Sequence, residues 1–147
     1  MNKYLSQIEE KLELYFGKKA PSMPENIKEA IVKYGPYLSI IMLVFSLPAL
    51  LLAFGLTTVA MPFAYVGSLH TGFSFSFTAL ISLMALVLEV IAIPGLFKRS
   101  KKSWKYMFYA SLLSLLSSIL ALNLGSVVIG GAISFYILFQ IKSLYKN

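Results

Sequence analysis

The chain has no cysteine, no aspartate and a single histidine, His70. Without cysteine there is no thiol–disulfide chemistry, which removes the four-helix disulfide enzymes linked to quinone. Cys/His metal clusters go with it. Charge is also scarce: 13% of residues are charged and 58% hydrophobic, where a soluble domain carries roughly 25% charged residues. Between Lys33 and Lys98 lie 64 residues with one formal charge, Glu89, and between Lys105 and Lys142 lie 36 with none. No motif for nucleotide, phosphate or metal binding occurs. The intramembrane Arg and Asn pattern of fluoride channels is missing, as is the Glu-Arg-x-x-Asn signature of four-helix glutathione-handling enzymes. The expectation is a chain with no cofactor, no metal and no catalytic activity.

The basic residues that are present fall in three patches. Lys3, Lys11, Lys18, Lys19, Lys28 and Lys33 precede the first apolar run; Lys98, Arg99, Lys101, Lys102 and Lys105 crowd the middle; Lys142 and Lys146 close the chain. Lys and Arg are retained on the cytoplasmic side of membrane spans, and each gap between patches has room for two crossings. The pattern predicts an all-α integral membrane bundle of four transmembrane helices in the cell (inner) membrane, with both termini cytoplasmic. The expected spans are about 36–55, 73–97, 104–122 and 127–141, forming a membrane domain over 36–147. Spans three and four each have about 17 uncharged residues, the lower limit for crossing hydrocarbon. A re-entrant hairpin is the alternative, and length favours crossing. So one-sided a charge bias also argues against insertion in both orientations.

The net charge of +7 is accounted for by this topology, so no nucleic-acid partner is expected. The predicted partners are the bilayer itself, with Lys98, Arg99, Lys101, Lys102 and Lys105 on anionic headgroups, and either a second copy of the chain or another membrane protein.

Residues 1–35 read as cytoplasmic or interfacial amphipathic helices. Leu5, Ile8, Leu12 and Tyr15 recur at helical spacing over Lys3–Phe16, and Gly17 is the expected stop. This helix is predicted to lie on the membrane or on the protein's own base. Ser22 and Glu25 have capping-box spacing ahead of a second short helix, which Gly35-Pro36 should interrupt. Pro48 should kink span one, the stretch 56–72 should form a charge-free outer connection at the interface, and Pro94-Gly95 should bend or end span two.

Glu89 is the outstanding candidate. A carboxylate in hydrocarbon costs several kcal/mol, so it neutralises or finds partners. Tyr109, Ser111 and Ser114 of span three and Tyr136 and Gln140 of span four are the expected facing groups. A hydrogen-bonded lock between helices is favoured over a protonatable or cation-binding site, because no second charge lies in a span. Ala110, Ser114 and Ser118 on span three, and Ser126, Gly130 and Ser134 on span four, repeat at every fourth position. That spacing lets helices approach closely, so a serine ridge against a glycine ridge is expected, ahead of a hydroxyl-lined pore. His70 reads as an ordinary interfacial histidine, and Phe73–Phe77 as an aromatic helix entry.

Two segments, KAPSMPENIKEAIVKYGPYLSII at Lys19–Ile41 and SFYILFQIKSLYK at Ser134–Lys146, resemble the beginning and end of a group of small four-span bacterial membrane proteins. The resemblance extends to Trp104–Ser118. That group has no established activity, so the resemblance implies topology and transfers no functional residue. Taken together, the residues point to a non-enzymatic structural or accessory membrane protein. The alternative is a homo-oligomeric transporter or channel subunit with Glu89 as a protonatable site; an enzyme using Glu89 and Tyr109 is a weaker third.

Overall fold

Helix follows helix with only short links in the computed structural model, which describes residues 2–67 and 69–146; side chains at 2, 46, 49, 50, 53, 54, 57, 61, 64, 67 and 69–75 lie outside the description. Among the described residues there is no strand, so the all-α expectation holds. The readings of His70 and of most of Phe73–Phe77 fall on side chains outside that description.

Helix α1 spans Asn2–Leu12 and runs on without a break into a π-helical segment, Glu13–Lys19. Gly17 does not stop it. A Cβ there would lie 3.9 Å from that of Phe139, so the glycine sits where the helix passes the C-terminal part of the chain. The helix ends when Ala20 turns extended, its amide donating to the Tyr15 carbonyl at 3.0 Å.

Helix α2 spans Glu25–Gly67, and its first carbonyl is that of Pro24, which accepts from the amides of Ile27 and Lys28. The expected break at Gly35-Pro36 does not occur. Pro36, Pro48 and Pro62 all lie inside one 43-residue helix. Each proline removes one backbone bond but has a helix-compatible φ, and tertiary contact outweighs the loss at Pro36, which is fully buried. The hydroxyls of Ser39 and Thr58 add bonds to the carbonyls of Gly35 and Gly55. The predicted connection 56–72 is likewise helical: α2 reaches Gly67 and α3 begins at Leu69, running to Phe97 through Pro94-Gly95. Tyr65 and Ser76 meet hydroxyl to hydroxyl at 3.1 Å across this tip.

Helix α4 spans Lys101–Leu120; a π-helical turn, Ser126–Gly130, leads into α5, Gly131–Ile141, which ends in the 3-10 turn Lys142–Leu144. Two tight turns of the same design join α3 to α4 and α4 to α5. In the first, Ser100 donates to the Gly95 carbonyl and Arg99 to that of Leu96; in the second, Asn123 donates to Ser118 and Leu122 to Ile119. These are Schellman closures, which place one residue in the left-handed region. Here that residue is not glycine: Arg99 has φ 50° and Leu122 φ 54°.

Helix α3 packs most extensively on α4 and next on α2, while α5 touches α4, α2 and the π-helical segment after α1. The core lies at the charged end. Trp104 stacks on Phe108 with centroids 5.6 Å apart, and Phe135 and Phe139 meet Phe108 edge to face. Val32, Ala92 and Leu96 complete the cluster from α2 and α3. At ~1.5 Å per residue, α3 outruns α4 by roughly 14 Å, since it has 29 residues against 20. The α2–α3 tip therefore extends past the α4–α5 turn.

Among the described residues two helical stretches are long and apolar enough to cross a membrane, Ser76–Phe97 and Ser126–Leu144. Only 22% and 28% of their most apolar windows are buried, so neither is enclosed by the other helices. Helix α4 falls short because Lys101, Lys102 and Lys105 open it and serines interrupt its apolar run. In α2 the apolar middle includes side chains outside the description.

Candidate functional site

Glu89 sits on α3 where four helices meet, and three cavities border it. The largest, of about 760 Å³, is a cleft between α2 and α5 that runs from Asn26 and Tyr145 at the charged end inward to Glu89, Ser111 and Ser134. A second, of about 240 Å³, lies between α4 and α5 and is lined by Ser111, Ser114, Ser118, Ser126 and Ser134 with Glu89. The third, of about 390 Å³, lies between α2 and α3 and is apolar but for Ser39 and Glu89. Among the described residues no hydrogen bond or ion pair reaches the Glu89 carboxylate. The geometry is thus a half-buried acid open to three spaces, with hydroxyls on one side and aliphatic walls on the other.

Of the groups expected to face it, Ser111 and Ser114 share a cavity with Glu89. Tyr109 does not line these cavities; its ring tilts against Phe108 at 5.8 Å. Tyr136 and Gln140 point elsewhere, which corrects the sequence reading. The Tyr136 hydroxyl donates to the Pro21 carbonyl at 2.7 Å. The Gln140 amide donates to the Phe16 carbonyl at 3.0 Å and accepts from the Met23 amide at 3.1 Å. These residues tether the N-terminal segment to α5. The physical reason is supply and demand: a non-helical link at 20–24 carries free backbone groups, and α5 offers side chains to satisfy them.

The small-residue ridges are corrected as well. Ala110 is buried, but Ser114, Ser126, Gly130 and Ser134 are exposed, and a Cβ at Gly130 would meet nothing within 4 Å. The close approach of α5 to α4 is made by Gly131, where a Cβ would come 2.8 Å from Leu115 Cδ1. Ser114, Ser118, Ser126, Gly130 and Ser134 border a space rather than interlock. Among the described glycines the closest approach joins α3 to α4: a Cβ at Gly95 would overlap Ser103 Oγ. Roughly 20 Å further along the same helix pair, Ser82 and Ser117 bond hydroxyl to hydroxyl at 3.0 Å.

In the basic patch, Lys98, Lys101, Lys102 and Lys105 are exposed. Arg99 is committed to a forked pair with Glu29 of α2, at 2.9 and 3.3 Å. Burial pushes the Tyr145 phenol above its ordinary range, with Arg99 opposing the shift.

A further cluster was not foreseen. Lys142 Nζ lies 2.8 Å from Glu9 and 2.7 Å from Glu13, and 4.8 Å above the Trp104 ring. Trp104 in turn donates its indole N–H to the Leu138 carbonyl at 2.8 Å. The i, i+4 spacing of Glu9 and Glu13 was the signal for it in the sequence. The α1 helix is thereby fixed on the protein's own base. Its contact side is Glu9, Leu12, Glu13 and Phe16, while Ile8 and Tyr15 of the predicted stripe are exposed. No family model, curated protein or solved structure matches the chain.

Proposed function

We propose that the chain is a four-span inner-membrane protein with cytoplasmic termini, acting without catalysis as a structural or accessory component seated on anionic headgroups. One observation carries this reading: exposed lysines gather at one end of helices whose long sides expose apolar residues. Lys101, Lys102 and Lys105 stand at that end, while Leu51, Leu80, Met84, Ile129 and Ile133 are exposed along the bundle. Hydrocarbon accepts such sides, and water does not. The native chain lacks cysteine, so single-cysteine labelling tests the topology. Lys102→Cys should react only after sealed cells are opened, and Leu124→Cys from outside. The reverse pattern would overturn the assignment.

The meeting of three cavities at Glu89 favours a second reading, a homo-oligomeric transport subunit that exchanges a proton or cation there. Proton-coupled flux into liposomes that Glu89→Gln abolishes would support it. Liposomes with no flux would remove it.

A further inference from the structure

The cleft between α2 and α5 combines two properties that select a ligand. Its walls are aliphatic, formed by Ile31, Leu38, Met107, Ile137 and Ile141, and at about 760 Å³ it has the size of sites that hold drug-sized molecules. At its inner end stands the Glu89 carboxyl, with the Ser111 and Ser134 hydroxyls close by. None of the three cavities bordering Glu89 is lined by a lysine or arginine. Lys142 is already held by Glu9 and Glu13.

A carboxylate among apolar walls is stabilised by a positive charge that brings its own apolar surface. An inorganic divalent ion does not fit this description. It asks for six or more oxygens, and one carboxylate with a few hydroxyls falls short and leaves the walls bare. An anionic lipid would find no lysine or arginine in the lining. A cation carried on a bulky apolar body meets both demands.

We propose that this cleft binds lipophilic organic cations, of the quaternary ammonium or phosphonium type, with the charge beside Glu89 and the apolar groups against α2 and α5. The inference deepens the transport reading by naming the class of substrate, but binding does not require translocation. The two are separated by measuring binding and flux on the same preparation. Binding without flux keeps the site and removes transport. Flux of protons without cation binding keeps transport and overturns the site.

The test uses the whole chain in nanodiscs of neutral lipid, with tetraphenylphosphonium as the probe and tetraphenylborate as an anion of the same shape. Equilibrium dialysis against empty nanodiscs subtracts partition into lipid. Saturable one-to-one binding of the phosphonium is expected, with none for the borate. Glu89→Gln should weaken binding at least tenfold, and Glu89→Asp, which keeps the charge, should retain most of it. Ile137→Trp, which fills the cleft and leaves Glu89 in place, should also weaken it at least tenfold. Equal binding of both probes, no saturable binding, or unaltered binding by Glu89→Gln would each overturn the proposal. If Glu89→Gln fails to fold, the Asp and Trp variants decide. If Ile137→Trp alone binds normally, the ligand lies in a smaller cavity and the assignment to this cleft is wrong.

Discussion

Gln140 of α5 and Met23 of the N-terminal link are joined by a bond from the Met23 amide to the Gln140 side-chain carbonyl, 3.1 Å long and spanning 117 residues of sequence. The same side chain donates to Phe16, and only 4% of it is exposed. Replacing it with Leu keeps the volume and strands a donor and an acceptor. Each such loss costs about 1–3 kcal/mol. Gln140→Leu should therefore lower the melting temperature markedly and raise hydrogen exchange at Met23. Exchange at Met23 unchanged from wild type would show that the link is held by something else.

The Lys142 triad is partly open to solvent, so its ion pairs are discounted accordingly. With the Trp104 ring beneath the ammonium, Lys142→Met should cost about 1–2 kcal/mol. Glu13→Gln, which leaves Glu9 paired, should cost about half as much. Limited proteolysis at Lys18 and Lys19 should speed up in the first variant. Equal cleavage rates in wild type and Lys142→Met would contradict the docking of α1.

Glycine contacts divide sharply. Gly95→Ala drives a Cβ into Ser103 and should cost about 1–3 kcal/mol as overpacking. Adding Ser103→Ala should recover part of it. Gly130→Ala meets open space and should be neutral or gain up to about 1 kcal/mol from helix propensity. Thermal melts of the three variants suffice, and a Gly95→Ala protein as stable as wild type would refute the close approach.

Leu122 is 83% exposed and held at φ 54°. A left-handed conformation costs a branched residue about 1–2 kcal/mol. Leu122→Gly should then raise stability by up to about 1 kcal/mol, part of the relief being offset by a freer unfolded chain. A lower melting temperature would mean that the Leu122 side chain contributes contacts worth more than the strain.

Much of the helical layout was legible because charge and turn chemistry are local properties of the chain. The middle basic patch marks the α3–α4 link at Lys98–Ser100, and the break expected between spans 104–122 and 127–141 falls on the α4–α5 turn near Asn123. The register of α5 was not legible. A π-helical turn at Ser126–Gly130 adds a residue to one turn, which rotates all that follows by roughly 100°. Counting by fours from Ser126 therefore picks Gly130, whereas Gly131 is the residue that meets α4. The joined helix across Gly35-Pro36 was hidden for a different reason: proline reads as a stop locally, and only the burial of Pro36 in the assembled core reverses that. Tyr136 and Gln140 were misassigned because their partners are backbone groups more than a hundred residues away.

The clamp at the charged end also imposes an order on synthesis. Glu9 and Lys142 stand 133 positions apart. Translation proceeds from the amino end, so the ribosome releases the acid long before the base exists. Through almost all of elongation α1 has no seat, and its Phe16 has no Phe135 to pack against. The first helix made is thus among the last to be placed, and its docking marks a chain whose α5 has been delivered to the bundle.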